Sequence, residues 1–298
     1  MPYDLGVFDS RADYKSEKQC QRTSFAFYQA VRDLLPVWVL EDMRTMEVFH
    51  WEEGRACSFT PPEAFLYALV HDHQQYAKFL LNRYSVGALE MPSQSFCCCQ
   101  ASATPHLTVA VRYNRITILK MIMDSLKDFS HSERQSYLNT RGCFHMQGGK
   151  DALHLASELV RPECLIMLLG HGACPYVTDR DGNTPLDCLL NQIRQGEPDM
   201  RSKHVCLGYL ILFMPKFIFQ MKGQLQKNPG LWQSLIGEQA FQWLLELSPP
   251  SLFVQAMHKM TQSIPVKQLD SLPDFLNPLD FRLHQYARQR FSQTKLPD

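Results

Sequence analysis

The sequence has no excess of charge of either sign. Its 298 residues include 30 lysines and arginines and 30 aspartates and glutamates, so the formal net charge at pH 7 is zero. A protein that binds nucleic acid through the phosphate backbone needs a surplus of basic side chains. The composition therefore predicts no nucleic-acid partner.

Long apolar runs are also missing. The most apolar stretch, residues 205–214, ends at Pro215, well short of the roughly 20 residues that a membrane span requires. The first 18 residues are polar and mixed in charge, without the apolar core of a secretion signal. These absences predict a cytoplasmic protein with no membrane partner, in which residues 205–214 form a buried helix.

Motifs of catalysis and cofactor binding are lacking as well. The chain contains no glycine-rich phosphate loop, no H-E-x-x-H, no nucleophile elbow and no C-x-x-C pair. Without a secretion signal, its 10 cysteines are expected to be reduced. The triplet Cys97-Cys98-Cys99 matches no common zinc module, and its role stays open. We predict no catalytic residue, no cofactor and no metal ligand.

What the sequence does contain is a repeat. Residues 149–156 and 182–187 carry related motifs 33 residues apart. This period, with a T-P-L-H-like core, is the signature of an ankyrin repeat. An alanine in each of three units is followed 12 and 13 residues later by an apolar pair: Ala68 by Leu80-Leu81, Ala110 by Ile122-Met123, and Ala156 by Leu168-Leu169. The predicted fold is an all-α ankyrin-repeat solenoid with about four units over residues 60–215.

Two insertions interrupt the period. Ala110 and Ala156 are 46 residues apart, 13 more than the period, and Ser130-His131-Ser132-Glu133 between them resembles a capping box. A short extra helix is therefore expected there. In the fourth unit, which starts at Thr184, the second helix is predicted to be delayed past residues 195–198 and to run from His204 through Met214.

The remaining segments flank this array. Residues 1–19 are predicted to be a disordered tail, and residues 20–59 an N-terminal helical cap interrupted at Pro36. Residues 216–248 are predicted to be connecting helices, residues 249–281 a C-terminal helical unit, and residues 282–298 a solvated tail.

The C-terminal unit begins with a helix-start signal, Ser248-Pro249-Pro250. Leu252, Ala256 and Met260 then follow four residues apart, so they share one face of a helix. A leucine, a small residue and a third apolar residue on one face suit docking into a partner's groove. An amphipathic helix that only packs on the array gives the same pattern, and the protein would then be a scaffold or inhibitor that sequesters a partner.

Two segments of this unit resemble the SOCS box of ubiquitin-ligase receptors. Ser251, Leu252, Ala256 and Met260 resemble its elongin-binding box. The following segment resembles the cullin box that selects cullin-5, although the usual second proline, two places after the first, is absent. The cullin-binding residues that this resemblance implies are Leu272, Pro273, Phe275, Leu276 and Leu279.

Further segments resemble one family of ankyrin-repeat proteins with a SOCS-box-like C-terminus. They are residues 24–38, 67–73, 110–115 and 249–253. The resemblance implies a non-catalytic substrate receptor of a cullin-5 ubiquitin ligase, docked through elongin B and elongin C. It also implies a client protein, for which inosine monophosphate dehydrogenase is a candidate.

Client contacts are expected at the tips of the turns between repeats. The candidate residues are Arg141 and His145 in one tip and Asp179, Arg180 and Asn183 in another. His154, the most plausible catalytic residue by type, is predicted instead to bond backbone of the adjoining turn. His71 and His73, at the end of a repeat helix, are expected in solvent.

Overall fold

The computed structural model describes residues 25–45, 59–92, 105–142, 148–196 and 199–263. Within these ranges the regular structure is entirely helical and no strand occurs. The prediction of an all-α fold is confirmed. The chain forms two compact units, Met1–Ala152 and Leu153–Asp298.

The first unit is built from helical hairpins. Helix α3 packs on α4 and on α5, and α4 packs on α6, so corresponding helices of successive hairpins lie side by side. Short 3-10 segments follow α4 and α6. The helices are α1 (residues 25–32), α2 (Val37–Thr45), α3 (Pro61–His71), α4 (Gln74–Tyr84), α5 (Pro105–Arg112), α6 (Ile116–Ser125) and α7 (His131–Leu138).

All three hairpins of this unit turn in the same way. The turn residues Leu34, Asp72 and Asn114 adopt φ values of 55°, 57° and 55°. In each turn the next amide donates to an alanine carbonyl five residues back: Leu35 to Ala30 (3.1 Å), His73 to Ala68 (2.9 Å) and Arg115 to Ala110 (2.8 Å). This bond closes the end of the first helix. The predicted N-terminal cap therefore contains a hairpin built like a repeat.

Burial confirms the predicted spacing between an alanine and the apolar pair 12 and 13 residues later. Ala68, Ala110 and Ala156 have no exposed surface, and the six residues of the three apolar pairs are also buried. A small residue lets paired helices approach, and the apolar pair fills the space between hairpins.

A polar network holds α2 against α4. Glu41 accepts hydrogen bonds from Arg44 (2.7 Å), Tyr76 (2.8 Å) and Tyr84 (3.2 Å). Burial disfavours the Glu41 carboxylate, but the bonds from Arg44 and Tyr76 outweigh it, and the pKa of Glu41 is lowered. The charged carboxylate is part of the folded structure.

The expectation that His73 lies in solvent is wrong. His73 is buried, its Nε2 bonds the carbonyl of Leu35 at 3.0 Å, and its Nδ1 accepts the amide of Tyr76 at 3.2 Å. It caps α4 and joins two hairpins. The ring of His71 packs edge-on against Tyr28, with centroids 4.5 Å apart, and burial lowers its pKa.

His106 makes the stability of the chain depend on pH. It is fully buried, its Nε2 lies 3.0 Å from the carbonyl of Pro62, and burial lowers its pKa to about 4. Since an unfolded histidine takes up its proton near pH 6.5, the free energy of unfolding should fall by up to about 3 kcal/mol between pH 7 and pH 4.

Urea denaturation at a series of pH values checks this expectation. The variant His106→Gln should flatten the slope between pH 7 and 4, whereas replacement of the exposed His131 should leave it unchanged. An unchanged slope in His106→Gln would contradict the assignment.

The second unit continues with helical hairpins and ends with shorter helices. Helix α9 packs on α11, α10 packs on α11 and on α13, and α15 packs on α11. The division between the two units falls in the first turn of α8. The helices are α8 (Ala152–Glu158), α9 (Pro162–Gly170), α10 (Pro185–Arg194), α11 (Met200–Phe213), α12 (Lys222–Lys227), α13 (Pro229–Ile236), α14 (Glu238–Leu244) and α15 (Leu252–Ser263).

Both predicted insertions are confirmed. The first carries α7, whose N-terminus is closed by a capping box in which the amide of Ser130 donates to Glu133 at 3.0 Å. The second delays the start of α11 to Met200, one turn before the predicted start at His204. There the buried Lys203 donates to the carbonyls of Gln192 (2.8 Å) and Gly196, which caps the end of α10.

Candidate functional site

The predicted docking helix α15 leaves one face open. The side chain of Leu252 is 84% exposed, Ala256 is exposed and Met260 is partly exposed. At 100° per residue these three positions span about 80° of the helix circumference. Phe253, which the sequence analysis did not single out, is 40% exposed beside Leu252 and widens the apolar surface.

The opposite face of α15 is anchored. Val254, Met257 and His258 are buried, and the helix packs on α11. The ring Nε2 of His258 lies 2.8 Å from the carbonyl of Ile211 in that helix. The buried and exposed stripes are therefore on different sides of one helix, and the packing of the first stripe holds the second toward solvent.

The start of α15 is fixed locally. The hydroxyl of Ser251 accepts the amide of Val254 at 3.3 Å, and the first helical residue is Leu252. A serine in this position satisfies one of the free amides of the first turn. Of the predicted elongin-binding residues, Ser251 forms the cap and the other three form the open face.

The predicted cullin-binding residues lie outside the described part of the chain, which ends at Ser263. The same holds for His145, the Cys97–Cys99 triplet and both predicted tails. Cullin selection therefore stays a prediction from sequence.

The best-defined turn tip, residues 177–183, is organised by Asp179. That residue is only 5% exposed, and its Oδ1 accepts the amides of Asp181 (2.9 Å) and Asn183 (2.8 Å). Its burial argues against the predicted direct client contact, because the carboxylate serves its own turn. Arg180 is exposed at the tip, and Gly182 adopts a left-handed φ of 80° in the turn that follows it. Arg180 stays the clearest candidate contact there.

Only part of the other predicted tip, residues 140–150, lies within the described residues. Arg141 is exposed, and the adjacent amide of Gly142 donates to the carbonyl of Lys150 at 3.0 Å, which closes the loop. Arg141 is therefore placed where a client could reach it.

His154 has the structural role that the sequence predicted. It is fully buried, and its Nε2 bonds the carbonyl of Asn183, in the tip of the next repeat, at 2.9 Å. Asp187 stands 33 residues later. Its Oδ1 accepts the amide of Met221 and its Oδ2 accepts the amide of Thr184, both at 2.8 Å. His154 and Asp187 thus hold equivalent positions in successive repeats, and each hydrogen-bonds the backbone of a later segment.

Cys164 and Cys206, in the second unit, are fully buried. Burial raises the pKa of Cys164 and of Cys206 to about 12, so both are protonated at neutral pH. In the described ranges no group of three or more His, Cys, Asp or Glu side chains could hold a metal ion. The helices of these ranges are also all too short or too polar to cross a bilayer.

Successive helix hairpins, buried alanines at the hairpin contacts and the bond from His154 to the next tip define an ankyrin-repeat protein, a class that binds other proteins. No family profile matches the chain. It is 45% identical over 302 residues to ankyrin repeat domain-containing protein 9 of Mus musculus, a match that covers 90% of this chain and 92% of the mouse protein. The chain therefore belongs to the family of ankyrin repeat domain-containing protein 9, which confirms the resemblance noted in its sequence.

Shorter matches connect the chain to plant proteins. A segment of 41 residues is 54% identical to regulatory protein NPR6 of Arabidopsis thaliana, and covers 14% of this chain and 9% of that protein. The BTB/POZ domain and ankyrin repeat-containing protein NOOT2 of Medicago truncatula matches at the same identity over 41 residues, 14% of this chain and 8% of its own. Matches of this length support the repeat motif alone.

Proposed function

We propose that this chain is the substrate-recognition subunit of a ubiquitin ligase built on elongin B, elongin C and cullin-5. In this proposal α15 docks on elongin C, and the ankyrin repeats bind the client protein. The observation that carries it is the open Leu252, Ala256 and Met260 face on a helix whose other side is anchored. Inosine monophosphate dehydrogenase is the client that the family resemblance suggests.

The exposure of Leu252 favours docking over simple packing. Burying a leucine side chain contributes about 1.5–3 kcal/mol, so a helix that served only to cover the repeats would turn its leucine inward. Here the smaller Val254 and the flexible Met257 face inward, while Leu252 is the most exposed large apolar side chain among the described residues. Burial of Leu252 in a partner's groove would supply the favourable burial free energy that this side chain does not gain in the isolated chain.

The proposed receptor does no chemistry of its own. It would hold a client beside the ubiquitin-charged enzyme and raise the local concentration of the acceptor lysines. Because α15 packs directly on α11 of the fourth repeat, elongin C would be held at a fixed orientation to the repeats of the second unit. A fixed orientation would restrict which client lysines come within reach of the ubiquitin-charged enzyme.

The second candidate is a scaffold or inhibitor that binds a client without ubiquitination. The cullin-box-like segment favours it, since Phe275 occupies the place of the usual second proline. Such a protein could bind elongins through α15 and still fail to recruit cullin-5.

Reconstitution separates the two candidates. We expect the purified chain with elongin B and elongin C to co-elute with cullin-5 in preference to cullin-2, and to increase ubiquitin transfer to inosine monophosphate dehydrogenase at least about tenfold. The variant Leu276→Ala should keep the elongins and lose cullin-5. An elongin complex that recruits neither cullin would contradict the ligase role and leave the scaffold.

A further inference from the structure

The three hairpin turns of the first unit form one continuous edge. His73 joins the first turn to the second through the carbonyl of Leu35 (3.0 Å). Arg115 joins the third turn to the second through the carbonyls of Leu69 (3.1 Å) and Val70 (2.7 Å). The turns are therefore held in register by side chains. We call this surface the turn edge; it consists of residues 32–38, 71–73 and 112–115.

The turn edge lies at one end of the helices of the first unit. Helix α3 has 11 residues, so its C-terminal end at the turn edge is about 16 Å from its start. The connections that carry turn tips in ankyrin repeats are at the other ends of these helices. A ligand bound at the turn edge would therefore not occupy the connections at the other ends of the helices of the first unit.

A cluster of apolar side chains is exposed at one end of this edge. Trp38 is 70% exposed, Leu34 is 57% exposed and Leu35 is 37% exposed. At the other end Tyr113 is exposed, with the guanidinium of Arg115 5.8 Å from the ring centroid. Tryptophan, tyrosine and arginine are the residues that dominate binding energy at protein interfaces.

Leu34 gives a second indication. Its φ of 55° is left-handed, a region that glycine and asparagine adopt far more readily than leucine. The equivalent positions of the next two hairpins hold Asp72 and Asn114, which tolerate it. Val160 adopts a φ of 51° in the equivalent turn between α8 and α9, so the conformation alone does not single out Leu34. Its 57% exposure does, because folding gains little from a leucine side chain directed into water.

Charge and area together indicate the kind of partner. Asp33 pairs with Arg32 at 2.8 Å and Asp72 pairs with Arg115 at 4.0 Å, so the acidic groups of the edge are compensated. Arg112 is exposed and makes no ion pair with any residue that the structure describes. The exposed apolar cluster amounts to on the order of 300 Å², the size of an apolar patch that is often functional on a monomer.

We propose that the turn edge binds the client protein, through a segment with apolar side chains at Trp38 and an acidic residue toward Arg112. The identity of the bound protein as a ligase client rests on the proposed function, whereas the surface itself does not. Trp38 is the central contact, Leu34 and Leu35 flank it, and His73 and Arg115 position the turns.

Site-specific photocrosslinking from the full-length chain in cells tests the proposal. A benzoylphenylalanine at position 38 should crosslink proteins whose half-lives lengthen when Leu252 is replaced by aspartate. The same probe at position 91, where the native Met91 is 46% exposed outside the edge, serves as the matched control. Trp38→Ala and Leu34→Asn should each reduce ubiquitination of those proteins at least about tenfold, with elongin binding unchanged.

The melting temperature distinguishes binding from folding. Leu34→Asn should keep or raise it, because asparagine suits the left-handed turn, and Trp38→Ala should change it little. No crosslinked protein at position 38 beyond that at position 91, or only a second copy of this chain, would overturn the proposal. So would normal ubiquitination of the crosslinked clients by Trp38→Ala.

The two proposals can fail separately. If Leu252→Asp lengthens no half-life, the ligase role fails, and the turn edge is judged on the crosslinked protein alone. That protein, once purified, should bind the wild-type chain and bind Trp38→Ala at least about tenfold more weakly. Equal binding to both would overturn the turn-edge proposal.

Discussion

Replacement of Leu252 with aspartate is expected to weaken binding of the purified elongin B–elongin C heterodimer at least about 100-fold. The variant removes an apolar anchor and would place a charge in a groove that excludes water. Since Leu252 is 84% exposed in the free chain, the unfolding midpoint should stay unchanged. Biolayer interferometry with immobilised chain measures the affinity, and thermal denaturation measures the midpoint.

The matched control for this variant is Leu231→Asp. Leu231 is 51% exposed on α13, a different helix from α15, so its replacement introduces the same charge outside the predicted elongin-binding residues. We expect wild-type affinity for the heterodimer from Leu231→Asp. Equal loss in both variants would point to a nonspecific effect of charge, and retention of elongin by Leu252→Asp would exclude the α15 face as the docking site.

Replacement of Asp187 with alanine should lower the free energy of unfolding by about 3 kcal/mol. The carboxylate is fully buried and accepts the amides of Thr184 and Met221 as well as the hydroxyl of Thr184. Removing it leaves buried donors unsatisfied, each of which costs about 1–3 kcal/mol. Urea denaturation should show the loss as a lower midpoint with an unchanged slope.

Two further variants test the cause of that loss. Asp187→Asn keeps one carbonyl oxygen but turns a donor toward Thr184 or Met221, so its stability should lie between wild type and alanine. Asp181→Ala removes an exposed carboxylate from the neighbouring tip and should cost less than about 0.5 kcal/mol. If Asp187→Ala is as stable as Asp181→Ala, the tie to Met221 does not stabilise the repeat.

The helical hairpins were predictable because their signals are local. Alanine at a close helix contact and an apolar pair 12 and 13 residues later follow from the geometry of one repeat, and all these residues are buried as expected. Capping boxes likewise depend on residues three apart, which is why α7 was found inside an irregular insertion.

Other features depend on contacts that no local pattern reveals. The first hairpin was predicted only as a cap, because Ala30 precedes Ala68 by 38 residues and is outside the period. The role of His73 requires the carbonyl of Leu35, which lies in the preceding hairpin. Helix α12 was not predicted individually, since Lys222–Lys227 is polar and buries only Leu225.

The orientation of helix α15 could likewise not be predicted from its own sequence. Its sequence offers apolar residues on several sides, so spacing alone gave the stripe of Leu252, Ala256 and Met260 without saying whether it faced the protein or the solvent. In the structure α15 packs on α11 with Val254 and Met257 buried, so the predicted stripe faces solvent. The exposure of Phe253 follows from the same orientation.

We propose that α15 presents an elongin-binding face on an ankyrin-repeat protein. Calorimetric titration of the full-length chain with purified elongin B–elongin C tests it most directly. A one-to-one complex with a dissociation constant of about 1 µM or tighter is predicted, with loss of the binding heat for Leu252→Asp. Absence of binding at roughly 10 µM of both proteins, with the chain folded, would contradict the claim.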